Sequence, residues 1–113
     1  MSSPTAIPKP SAVVVIVGGP AYLIGATRQS AGMIAASVEL AELGTAATVV
    51  ATHRPFALVM SEDVYEFDGA EFDALARDVG ATLIRVDTVG GNRQKYERTL
   101  LPKLGQALRN LEK

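Results

Sequence analysis

Hydrophobic positions in this chain form short unbroken runs, separated by longer stretches in which apolar residues recur every three or four positions. That pattern predicts strands and helices in alternation. The first run, residues 12–17, is rich in Val and Ile and reads as a buried strand. It ends at Gly18-Gly19-Pro20, where glycine permits a tight turn and proline suits the first turn of a helix over 21–35. Residues 38–43 roughly alternate, as expected of a strand near a sheet edge. Gly44-Thr45 then turns into a helix over 46–52, with Thr45 as N-cap, His53 in the last turn and Pro55 as terminator. Residues 56–60 form an apolar run left through Ser61-Glu62-Asp63, which predicts a strand buried on both faces.

After a loop, Phe67-Asp68-Gly69 opens a helix over 70–79 with Phe72, Leu75, Ala76 and Val79 inward, closed by Gly80. Residues 81–86 read as a fourth strand. Thr82 and Arg85 within it, and Asp87 after it, place it at the far edge. A loop at 89–92 leads to a helix over 93–113 with a stripe of Tyr96, Leu100, Leu104, Leu108 and Leu111. Pro102 and Gly105 interrupt that helix and predict a kink or break near Leu101. Residues 1–10, with three prolines, read as a flexible leader, leaving 11–113 as one domain. The first helix also carries Gly25 and Gly32, seven residues apart on one side. Each costs about 1 kcal/mol against alanine, which close packing on the sheet or a helix contact with a second copy would offset.

Four strands alternating with helices predict an α/β fold: a small doubly wound parallel sheet in the order 2-1-3-4, with helices on both faces. Ligands of such sheets gather outside the carboxyl ends of the strands, which directs attention to Ser61, Glu62 and Asp63.

Composition narrows the chemistry. A chain of 113 residues with a net charge of -1 suits one core and offers no basic surplus for nucleic acid. The 48% hydrophobic and 5% aromatic content is that of an aliphatic core under helices. Without Cys there is no disulfide, thiol nucleophile or thiolate-bound metal, and the lone His53 has no carboxylates spaced to complete a metal site, so neither metal nor cofactor is expected. The uncharged run 11–27 is broken by Gly18-Gly19-Pro20 and is short for a membrane span or an export signal. A cytoplasmic protein is expected.

The segment Thr52-His53-Arg54-Pro55-Phe56-Ala57-Leu58-Val59-Met60 resembles the second-helix end and third strand of response-regulator receiver domains, of the flavodoxin-like type. Phe67-Asp68-Gly69-Ala70-Glu71-Phe72 is similar to the receiver turn "MDGFEL", and the spacing from Gly18-Gly19 to Val38 and Gly44 also fits. The resemblance spans residues 12–88. Receivers accept a phosphoryl group on an aspartate ending the third strand, with Mg²⁺ held partly by an acidic pair ending the first. The resemblance places the phosphoacceptor at Ser61 and the acidic pair at Gly18-Gly19, so both are substituted. Mg²⁺ requires oxygen ligands such as carboxylates, and a serine without base or metal is a poor nucleophile. Glu62 or Asp63 as a shifted acceptor would lack the metal that offsets developing charge. Thr88 matches the switch hydroxyl of the family. Its lysine has no secure counterpart, Lys103 beside Pro102 being the nearest. Between Asp87 and Arg93 there is no room for a fourth helix and fifth strand, which leaves strand four as an exposed edge.

The implied function is a degenerate, non-enzymatic receiver-like module of two-component signal transduction, binding a protein partner or itself as a homodimer, with no nucleic-acid or membrane partner. The alternative is a phosphate- or nucleotide-binding domain using the amides of Gly18, Gly19 and Ala21 at a helix N-terminus. A hydrolase built on Ser61 would need a base nearby, and His53 is expected at the opposite end of strand three.

Overall fold

The computed structural model describes residues 12–88 and 93–111. Five consecutive valine and isoleucine positions form β1 (Val13–Val17), in which every residue is buried. β-Branched side chains suit a pleated strand packed on both sides, and β1 accordingly takes a central place. It pairs in parallel with β2 (Ser37–Ala41) and with β3 (Ala57–Ser61), and β3 pairs in parallel with β4 (Thr82–Val86). The order β2-β1-β3-β4 is the expected one.

Alternation along the strands divides the core into two layers. Val14, Ile16, Val59, Ile84 and Val86 face α1 (Ala21–Met33) and α5 (Arg93–Leu111), meeting Leu23, Tyr96, Leu100 and Leu104. Val13, Val15, Val17, Leu58 and Met60 face α2 (Ala46–His53) and α4 (Gly69–Val79), meeting Val50 and Phe72. Each fully buried aliphatic side chain of this kind stabilises the fold by about 1.5–3 kcal/mol.

Four expectations change. Residues 62–67, expected as loop, form the short helix α3 (Glu62–Phe67), because Ser61 Oγ accepts the Val64 N–H at 3.3 Å and Glu62 and Asp63 occupy its first turn. A hydroxyl cap and early acidic residues both favour a helix N-terminus. The second strand stops at Ala41, and a 3-10 turn, Leu43–Thr45, follows. Thr45 Oγ1 accepts from the Glu42 N–H at 3.1 Å and makes no cap bond to α2. α5 runs unbroken through Pro102. Tyr96 and Leu100 before the proline, and Leu104 and Ala107 after it, are all buried against the sheet, while Pro102 itself faces solvent. Packing on both sides therefore outweighs the missing backbone hydrogen bond.

The fourth change concerns α1, which ends at Met33. Ala36 N–H donates to Ala31 O at 2.9 Å, and Ala35 takes φ 60. Gly32 is exposed, and a Cβ there would meet nothing within 4 Å, so it serves no close backbone approach. The leader 1–10, the loop 89–92 and the Leu111 side chain lie outside the described residues.

Candidate functional site

The carboxyl ends of β1 and β3 bring Gly18, Gly19, Ser61, Glu62 and Asp63 to one end of the sheet. Ser61 is 3% exposed, and its hydroxyl is engaged as the α3 cap. The side chain of Val64 closes the gap towards β1: a Cβ on Gly18 would stand 3.4 Å from Val64 Cγ2. An apolar side chain therefore lies beside the end of β1. Asp63 is exposed. Thr88 follows β4, and its carbonyl accepts the Tyr96 hydroxyl at 3.0 Å, tying the end of β4 to α5. Burial raises the Tyr96 phenol above its ordinary value, and its ring stacks on Tyr22 at 5.4 Å between centroids.

Glu62 turns away from Ser61 and binds Arg85 on β4. Glu62 Oε1 accepts from Arg85 Nη2 at 2.7 Å and from Nε at 3.0 Å. The Arg85 guanidinium lies 3.9 Å over the Tyr65 ring, and the Tyr65 hydroxyl donates to Asp73 Oδ2 at 2.8 Å. Glu62, Arg85, Tyr65 and Asp73 thus link α3, β4 and α4 in one chain of charge and hydrogen bonding. The Asp73 hydrogen bond raises the Tyr65 phenol, and the bond to Glu62 raises the Arg85 guanidinium. Gly69 makes room for the ring, since a Cβ there would lie 2.8 Å from it. In the sequence Arg85 signals only that β4 lies at an edge. Its partner lies 23 residues away, and no local spacing signals that pairing.

Gly18 and Gly19 take φ +61 and +96, which L side chains rarely adopt. Gly18 N–H donates to Ala41 O at 2.8 Å, extending the ladder to β2 and leaving Gly19 and Ala21 as the amides that could meet an anion. No side chain caps the N-terminus of α1. His53 ends α2, where Nε2 is 3.8 Å from Glu39 Oε1, and the length of β3 separates it from Ser61. Among the described residues no three His, Cys, Asp or Glu side chains gather to hold a metal ion, and no helix is long and apolar enough to cross a membrane.

The outer strand β4 borders an open groove of about 610 Å³, walled by Glu62 on one side and by Lys103 and Gln106 of α5 on the other. Thr82 N–H donates inward to Phe56 O, so the neighbouring Leu83 and, by alternation, Arg85 turn their backbone groups to the open edge.

Comparison with protein-family models, with curated proteins and with solved structures finds no match to this chain.

Proposed function

We propose that this chain is a receiver-like, flavodoxin-type module that acts in the cytoplasm by binding a protein partner or itself, and neither takes up phosphate nor catalyses a reaction. The observation that carries this reading is the state of Ser61: it stands at the end of β3 with its hydroxyl committed to Val64 N–H, and Val64 packs towards Gly18 where a metal would otherwise need oxygen ligands. The nearby Glu62 is held by Arg85 on β4. Acetyl phosphate or beryllofluoride with Mg²⁺, added while amide resonances are followed by NMR, should leave Ser61 and its neighbours unshifted. Saturable shifts there would overturn the reading.

The uncapped N-terminus of α1 favours a second reading, an anion held by the Gly19 and Ala21 amides. A rise in melting temperature with phosphate or a nucleotide, abolished by Gly19→Ala, would support it.

A further inference from the structure

Among the described residues both outer strands of the sheet have an unpaired edge, and the two edges differ in chemistry. At β4, Leu83 and Arg85 present their backbone groups outward. At β2, Ser37 N–H donates inward to Ala12 O, which turns Val38 and Leu40 outward. Exposed edges are usually guarded by a charge projecting over them, by proline or by a bulge. β4 contains one charged residue, Arg85, and its guanidinium is drawn back onto Glu62 and Tyr65 instead of covering the edge. β2 carries Leu40 at its edge, 48% exposed, followed by Leu43 at 42%.

Side-chain direction supplies the match. Val38 packs with the α1/α5 layer, so Leu40 shares that face, while Glu39 points to the α2/α4 face, where it approaches His53. Leu83 packs with the α2/α4 layer, so Arg85 shares the face of Glu39. We propose that the β2 edge of one copy docks in parallel on the β4 edge of the next, continuing the sheet from molecule to molecule. Ladder parity allows Arg85 to lie directly beside Glu39 of the neighbouring copy. Val38 and Leu40 of that copy then fall on the α5 side, over the groove walled by Lys103 and Gln106.

Two of the symmetric registers are less favourable. Two antiparallel β2 edges centred on Glu39 set Glu39 against Glu39, and two β4 edges centred on Ile84 bring the Arg85 side chains to diagonal positions on one face. Joining unlike edges is head-to-tail, so assembly is open-ended unless the rotation between copies closes a ring. Five-residue strands make a small interface, and the association is accordingly weak.

This inference rests on the protein-binding reading above, but it is tested separately. Sedimentation and light scattering of the full chain should show mass rising past two copies with concentration. Glu39→Lys should weaken self-association by about fivefold or more, and Glu39→Gln by less. Leu40→Lys blocks the β2 edge, and Leu83→Pro blocks the β4 edge without removing an inward bond, folding being checked by circular dichroism. Each should be monomeric alone, and the two mixed should stop at a heterodimer. A chain that stays monomeric up to about 1 mM, a weak-complex threshold, overturns the inference. So does a closed dimer that either edge variant leaves intact. Both results spare the protein-binding reading, which falls only if Ser61 responds to beryllofluoride.

Discussion

Single residues fix the local geometry at the carboxyl end of the sheet. Gly19 holds φ +96, and a Cβ there would also come within 3.2 Å of Leu23. Gly19→Ala should therefore cost roughly 1–3 kcal/mol, read as a lowered denaturant midpoint. Tyr65 donates to Asp73, and this bond favours the neutral phenol over the phenolate. With the folded value raised above 10.0, whatever stability this tyrosine adds is present below pH 10 and is lost as pH climbs through the folded value. An ultraviolet titration should show Tyr65 ionising late, and Asp73→Ala should bring it back towards 10.0 while leaving Tyr96, raised by burial, still late.

At the level of elements, α3 and α5 each depend on a contest between local preference and packing. α3 has six residues, too short to be stable alone, and holds because Ser61 caps it and Arg85 grips its first residue. α5 carries Pro102 in mid-helix at an exposed position. Pro102→Ala should restore a backbone hydrogen bond and relieve the clash with the preceding turn, stabilising the protein by about 1–3 kcal/mol. Urea unfolding with an unchanged slope and a higher midpoint would record that gain. A drop in stability would mean that the proline shapes α5 to fit the sheet.

Across the whole molecule, protection should follow the order of strands. β1 and β3 are flanked on both sides and fully buried, whereas β2 and β4 each leave alternate backbone groups at an edge. In dilute solution the Val15 and Val59 amides should exchange with deuterium only through global unfolding, and those of Leu83 and Arg85 orders of magnitude faster. If copies join edge to edge, the Leu83 and Arg85 amides should gain protection as concentration rises. Fast exchange at Val15 would contradict the central place of β1.

Strand order, the two-sided core and the edge position of β4 were legible in the sequence, because runs such as Val13–Val17 and the interrupted Thr82–Val86 state their burial directly in side-chain type. The helix after Ser61 was not, since six residues give too little periodicity and its cap reads equally well as a turn. Nor was the chain from Glu62 through Arg85 and Tyr65 to Asp73, which joins three elements that only the folded sheet brings together. The sequence by itself determined which segments must be buried, and hence the α/β plan, because burial follows from hydrophobic pattern. Tertiary structure alone decided where the polar side chains end. Ser61 became a cap and Arg85 a clamp, because such partners are chosen by distance in space and leave no mark in spacing along the chain.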